Sequence, residues 1–249
     1  MSTTDERPLP GDLPLWEVPG WRERFGVVAG ITGRGRGPEP FDLGLWGRAP
    51  VGVVMGRWRR FLAHFPEFPG AVLAHQVHGN QVLVHESLPE GWTLLEGADG
   101  HVTSQPGRLL IVTVADCVPI YLVAPRQRAI ALLHAGWRGT AAGILARGVA
   151  LLAEKGASPD EIVGHAGVAI SGPCYEVGAE VVTGVGAQAD GPGPWHIDLR
   201  EVLKSQAEAL GIKEFTLSTI CSSSRREDFF SHRGSGGADG RMVAYLGLK

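Results

Sequence analysis

Residues 109–140 read LLIVTVADCVPIYLVAPRQRAIALLHAGWRGT. Leu109–Val114 and Ile120–Val123 are short apolar runs rich in β-branched residues, and such runs form strands. Asp116-Cys117-Val118-Pro119 breaks them apart, because proline cannot donate to a ladder and an aspartate is costly inside an apolar strand. Ala129–Leu133 is a third buried strand, running into His134-Ala135-Gly136-Trp137-Arg138-Gly139-Thr140 and then a helix. In that helix Ala141, Leu145, Gly148 and Leu152 share one face, with Ile144 beside them. Gly143 and Gly148 weaken a helix interior by about 1 kcal/mol each relative to alanine, which is offset where the helix must approach a sheet closely. Strands that alternate with helices give the fold class: α/β, mixed, with β-sheet layers flanked by helices.

The same alternation extends outward in both directions. Phe25–Ile31 reads as a strand, followed by the Gly/Arg loop Thr32–Gly37. Val53–Phe65 has helical periodicity and a basic face of Arg57, Arg59 and Arg60. Ala71–Val77 and Gln81–His85 read as strands, and His78-Gly79-Asn80 between them suits a tight hairpin turn. Downstream, Ser158-Pro159-Asp160-Glu161 has the pattern of a capping box. Val168–Ile170 is a short strand. Asp198 can cap a helix with the stripe Leu199, Val202, Leu203, Ala207 and Leu210, ended by Gly211. Phe215–Ile220 and Met242–Leu246 are closing strands. Residues 1–24, polar and proline-rich, are expected to be a mobile lead-in, leaving 25–249 as one domain.

Composition narrows the class. The chain has 249 residues, 44% hydrophobic and 20% charged, with a formal net charge of -3. That suits one sizeable soluble domain and argues against a protein that coats nucleic acid. Three cysteines at wide spacing form neither a disulfide framework nor a zinc-finger pattern, so the expected compartment is reducing and cytoplasmic. The longest apolar run, Leu109–Ala115, is far too short to span a bilayer. No nucleic-acid or membrane partner is expected, and the expected state is a monomer or homodimer.

His78, Cys117 and His134 are the candidate chemistry. One thiol and two imidazoles make a three-ligand zinc site that keeps its fourth position open for water or substrate. A lone cysteine in a β-rich stretch is ordinarily an inert buried side chain, but Cys117 lies at a polar break between strands, where clefts form. His134 ends a strand, the place where ligands collect in open α/β sheets. His75 competes with His78 for the third place; three residues apart on a strand, the two face opposite sides. His78 is preferred because it adjoins Gly79, where backbone allows close approach. Asp116, next to Cys117, is the candidate acid/base. Arg34, Arg138, Arg233 and Arg241 fall in Gly-rich segments and could bind phosphate through their guanidinium groups. Phe229-Phe230 is either a substrate-stacking lip or a plug for the core. Nine histidines without a His-X-His pair argue against a cluster of several coppers.

The stretches QVHGNQV, EGADGHVT, IVTVADCVPIYL, HAGWRGTAAGI, GPCYEVG and FFSHR…GR, in this order from about residue 26 to the end, resemble the YfiH-like family. Its members are labelled laccase-domain protein, multicopper polyphenol oxidase and purine nucleoside phosphorylase. The resemblance implies one YfiH-like α/β domain and a zinc site at His78, Cys117 and His134, with copper as the alternative metal. It implies phosphorolysis of adenosine, inosine and methylthioadenosine, together with adenosine deamination. Nucleoside and phosphate are then the partners, and Tyr175 of GPCYEVG joins Arg34, Arg138 and Arg233 as a substrate-binding candidate. Two rival activities attach to the same residues: a copper-dependent polyphenol oxidase, and a cysteine hydrolase editing peptidoglycan precursors with Cys117 as nucleophile. A non-catalytic metal- or partner-binding module is a third reading. The chain departs from the family pattern at Leu43-Gly44-Leu45, where the family has Leu-Asn-Leu. It departs again at Ser231-His232-Arg233-Gly234, where the family has Ser-Tyr-Arg-Arg.

Overall fold

Alternate residues of the central strands point into different cores, and this period of two sets the layer order. In the strand Arg108–Val114, Leu109 and Ile111 pack with Trp58 and Phe61 of a helix, while Leu110 and Val112 pack with Tyr121 and Val123 of a second sheet. In the strand Ala129–Ala135, Ile130 and Leu132 face that same inter-sheet core, and Ala131 and Leu133 face a second helical layer. The computed structural model, which describes residues 2–37, 39–188 and 191–249, is therefore a stack of helix, sheet, sheet and helices.

The first sheet has seven strands in the order β1 (Arg7–Pro8), β2 (Leu15–Glu17), β3 (Val27–Thr32), β15 (Met242–Leu248), β8 (Arg108–Val114), β4 (Gly70–His75) and β6 (Gly91–Glu96). The second has six: β14 (Glu214–Leu217), β11 (Val163–Ala166), β9 (Val118–Ala124), β10 (Ala129–Ala135), β7 (Gly100–Thr103) and β5 (Val82–His85). Both are mixed: β4 runs parallel to β8 and β6, and β5 parallel to β7, while β10 is antiparallel to both of its neighbours. A small ribbon pairs β12 (Glu176–Val177) with β13 (Trp195–His196). The hydroxyl of buried Tyr121 donates to the Gly30 carbonyl at 2.8 Å, a direct bond from one sheet to the other.

Of the helices α1 (Trp21–Phe25), α2 (Val51–Ala63), α3 (Trp137–Ala141), α4 (Ile144–Glu154), α5 (Ala179–Val185) and α6 (Leu199–Ala209), α2 covers the outer face of the first sheet. The helices α4 and α6 cover the outer face of the second. Gly148 permits the contact of α4 with β10: a Cβ there would sit 2.7 Å from Leu133 Cδ1. Asp198 caps α6 by accepting the Arg200 N–H at 3.0 Å. The helix expected after Thr140 is two helices, because Gly143 adopts the left-handed region at φ 77° and restarts the spiral. The expected Val168–Ile170 strand is reduced to a single bridge between Ala169 and Cys221.

Two further expectations are corrected. The strands flanking His78-Gly79-Asn80 do not form a hairpin: β4 lies in the first sheet and β5 in the second. Gly-Asn satisfies a turn, but pairing partners are set by which core each strand can fill. The lead-in is not loose either. Leu15, Val18 and Trp21 are buried, and Glu6 is buried with its carboxylate accepting from Val168 N–H at 3.0 Å and the Ser218 hydroxyl at 2.7 Å. Glu6 Oε1 also lies 3.3 Å from His165 Nε2. A proline-rich, polar composition concealed a segment that completes the edge of the first sheet.

Candidate metal centre

His78 and Cys117 both lie where the chain leaves the first sheet for the second: β4 to β5, and β8 to β9. His134 is the penultimate residue of β10, on the inter-sheet side by the same parity as Ile130 and Leu132. The two crossovers and the end of β10 thus bring three donors to one end of the sandwich, where their ligand atoms all lie within 4.8 Å of one another. His134 is buried, Cys117 half-buried and His78 exposed, so the group opens outward on one side. Two residues there hold positive φ without being glycine, His78 at 59° and Asp116 at 86°. Side chains rarely adopt this region, and such strain persists where a site over-determines it. Gly136 leaves room above the donors: a Cβ there would meet Cys117 Sγ at 3.1 Å and His78 Cδ2 at 3.3 Å.

Asp99 binds the site together, and sequence reasoning did not single it out. It is fully buried in the loop before β7. Its carboxylate accepts the backbone N–H of His78 at 2.9 Å, of Gly79 at 2.7 Å and of Val77 at 3.3 Å, and lies 2.9 Å from His134 Nδ1. Its carbonyl accepts the His134 N–H at 2.7 Å. An ionised carboxylate only accepts, so Nδ1 carries the proton and Nε2 is left as the donor atom for a metal. Burial pushes the Asp99 pKa up, but the hydrogen bonds from His134 and Gly79 outweigh it and hold the pKa below the usual value. The signal in the sequence was an acid embedded in Glu96-Gly97-Ala98-Asp99-Gly100 just before a strand.

The electrostatics favour a cation. Burial raises the Cys117 pKa, yet the charge and hydrogen bond of His134, with a further bond from His78, bring it down to about 6. Burial lowers the His134 pKa, yet the Cys117 thiolate and Asp99 raise it to about 9. A thiolate and an imidazole backed by a carboxylate are the donor types that zinc or copper takes. Zinc bonds of about 2.0–2.3 Å to nitrogen and sulfur need donors that close together. The residues fit such an ion. Among the described residues, this is the single group of three or more His, Cys, Asp or Glu spaced for a metal.

The open side faces a cavity of about 690 Å³ lined by all three donors together with Arg34, Arg48, Arg241 and Trp46. Arg34 Nη1 bonds Asp239 Oδ1 at 2.7 Å, and its guanidinium lies 5.0 Å from the Phe230 ring centroid. Phe229 and Phe230 are both buried in the inter-sheet core, so they plug it, with Phe230 also reaching the cavity wall. His75 is not a ligand: it stacks on Trp46 at 4.4 Å and bonds Glu96 at 3.0 Å. The loop carrying Gly44 and Trp46 is anchored by Trp58 Nε1, which donates to the Leu43 carbonyl at 2.9 Å. Asp42 Oδ1 holds the same loop by accepting the Gly44 and Arg241 N–H groups, each at 2.8 Å.

The remaining candidates do not line the cavity. The Asp116 carboxylate is engaged by the Ser222 hydroxyl and the Arg233 N–H, each at 2.6 Å, and acts as a strut for the Cys117 loop. Arg138 is exposed and stacks on Trp137 at 4.4 Å. The Arg233 guanidinium donates to the Glu176 carbonyl at 2.6 Å and lies 5.1 Å from the Tyr175 ring. None of Arg138, Tyr175 and Arg233 is among the residues lining the cavity, although the Arg233 N–H bonds Asp116 next to Cys117. Burial raises the Tyr175 pKa, and the Cys117 charge adds to that, so Tyr175 lies within electrostatic reach of the thiolate.

Residues 44–249 match the family described as multi-copper polyphenol oxidoreductase laccase. A relative from Geobacillus stearothermophilus, named purine nucleoside phosphorylase YlmD, is 35% identical over 90% of this chain and 91% of its own. One from Deinococcus radiodurans, named purine nucleoside phosphorylase, is 38% identical over 70% of this chain and 68% of its own. Among solved structures, YlmD from Geobacillus stearothermophilus superposes with a TM-score of 0.85 at 30% identity, covering 98% of this chain and 99% of that one. The hypothetical protein YfiH of Bacillus licheniformis gives 0.85 at 26% identity, covering 96% and 98%. Fold, motifs and relatives agree, and the chain belongs to the YfiH-like, laccase-domain family.

Proposed function

We propose that this chain is a zinc-dependent purine nucleoside phosphorylase that cleaves adenosine, inosine and methylthioadenosine to the base and ribose 1-phosphate, and also deaminates adenosine. The observation that carries it is the convergence of His78, Cys117 and His134 on an open-sided cavity of about 690 Å³, within the range of small-molecule sites. The names of the relatives support the phosphorylase part of this reading. A zinc ion held by His78, Cys117 and His134 would supply a Lewis acid. Asp99 keeps the His134 proton on Nδ1 and fixes the ring toward Cys117. Arg34, with Arg48 and Arg241 also lining the cavity, draws the phosphate anion in through charge-assisted bonds. Arg138, Tyr175 and Arg233 hold the rim over which the nucleoside enters. Asp116, its carboxylate already bonded twice, steadies the Cys117 loop, and we assign it no proton-transfer step.

The test is product analysis with zinc-loaded protein and adenosine, with and without phosphate. Phosphate-dependent adenine and ribose 1-phosphate are expected, with inosine as the deamination product. Release of free base that does not depend on phosphate would sink the phosphorylase reading. One observation favours a second reading, a cysteine hydrolase: Cys117, His134 and Asp99 are aligned as nucleophile, base and orienting acid. Alkylation separates the two readings. Zinc should protect Cys117 strongly in the first and not in the second.

A further inference from the structure

The thiols the proposed chemistry leaves unused are not isolated from each other. Cys174 ends the one-turn helix Gly172–Cys174, whose N-cap is Ser171. The Ser171 N–H donates to Cys221 Sγ at 3.3 Å, and the Cys174 N–H donates to the Ser171 carbonyl at 3.0 Å. Residues 169 and 221 form a bridge, and Ser222 N–H donates to the Ala169 carbonyl at 3.0 Å, so the two segments run alongside each other up to this turn. The Cys221 sulfur therefore sits beneath the turn that carries Cys174, close enough for its hydrogen bond and charge to add to burial in raising the Cys174 pKa. Cys174 is half-buried and open to small reagents; Cys221 is buried.

We propose that Cys174 and Cys221 form a reversible intramolecular disulfide, a redox-sensitive bridge beneath the rim of the cavity. The oxidant is a small two-electron acceptor of the hydrogen peroxide class. The Cys221 thiolate attacks one peroxide oxygen; the O–O bond breaks, a sulfenic acid forms and hydroxide leaves, taking the thiol's proton to become water. Cys174 then attacks that sulfur, the S–O bond breaks, and the Cys174 proton leaves with the hydroxyl as a second water. Two thiols are oxidised by two electrons and one peroxide is reduced. Burial opposes ionisation of Cys221, but hydrogen bonds from Ser171 and Ser224 bring its pKa down to about 7, which supplies the attacking thiolate near neutrality. Each partner adjoins a residue of the site. Tyr175 follows Cys174 at the rim, and Ser222 follows Cys221 and holds Asp116. The bridge clamps the rim turn to the strut of the Cys117 loop.

Zinc-loaded protein is treated with peroxide, digested without reductant and mapped by mass spectrometry. A Cys174–Cys221 cross-linked peptide is expected, lost on adding dithiothreitol and absent from Cys174→Ser, a half-buried position whose change leaves the fold intact by circular dichroism. Hydrogen exchange at Tyr175 and Glu176 should slow several-fold in the oxidised wild-type protein and not in Cys174→Ser. Over-oxidation of Cys174 without cross-linking, a disulfide that includes Cys117, or bridging only between chains would each overturn the proposal. So would a cross-link that leaves exchange at the rim unchanged, since the clamp would then be absent.

Discussion

At the scale of single residues, Asp99 is the test of how the centre is held. Asp99→Asn keeps the size but loses the charge, and its amide can turn a donor toward His134 Nδ1 and favour the wrong tautomer. Zinc affinity should fall about 10- to 100-fold, the usual cost of losing a carboxylate behind a ligating histidine; competition with a chromophoric chelator measures it, and unchanged affinity would show that Asp99 only packs. Cys117→Ala and His134→Ala should each abolish stoichiometric zinc binding while the circular dichroism stays native; joint loss of fold would mean a structural metal. The pKa values add a pH signature. Between about 6 and 9 the metal-free centre holds Cys117 as thiolate and His134 as imidazolium. Zinc binding in that window must release one proton from His134, and below about 6 a second from Cys117. Affinity should therefore fall about tenfold per pH unit through the window and more steeply below it, which calorimetry in buffers of different ionisation enthalpy can read. The triad was legible because cysteine and histidine advertise metal chemistry by type. Asp99 was not, because a lone acid in a Gly-rich turn matters only once two distant loops fold onto it.

At the scale of elements, the strongly patterned strands and helices were readable, while β6, β7, β11 and α5 were not read from the sequence and neither were the strand partners. The period-two pattern of Leu109–Val114 and the 3.6-residue stripe after Asp198 are local, and the strand β8 and helix α6 follow them closely. Whether two adjacent strands pair is a global matter, which is why the Gly-Asn turn suggested a hairpin where the chain changes sheets. The close approach of α4 to β10 makes its own prediction. Gly148→Val places branched carbon against Leu133, where even a Cβ would sit 2.7 Å away. Overpacking of that kind costs about 1–3 kcal/mol. Denaturant melts should show it as a lower midpoint with an unchanged slope, and a neutral result would mean that α4 is free to shift outward.

At the scale of the whole molecule, the N-terminal segment is part of the stability. Glu6 answers a buried histidine, a hydroxyl and a backbone N–H from the second sheet. Burial raises its pKa, but His165 and Ser218 more than compensate and lower it below 4.5. Its contribution is thus complete above about pH 4.5 and is lost as pH falls through the lowered value. Glu6→Ala strands those partners and should cost on the order of 3 kcal/mol at neutral pH, with the gap between mutant and wild type narrowing in acid. A mutant as stable as wild type at pH 7 would mean that the segment docks without bearing load.

Two of the three metal donors sit on passages from one sheet to the other, and the third ends a strand between them. Sliding either sheet by a fraction of a residue would spoil all the donor separations together. An ion seated there works as a clasp that accepts one mutual setting of the layers, so metal capture during refolding should coincide with final sheet docking and lag behind formation of the strands.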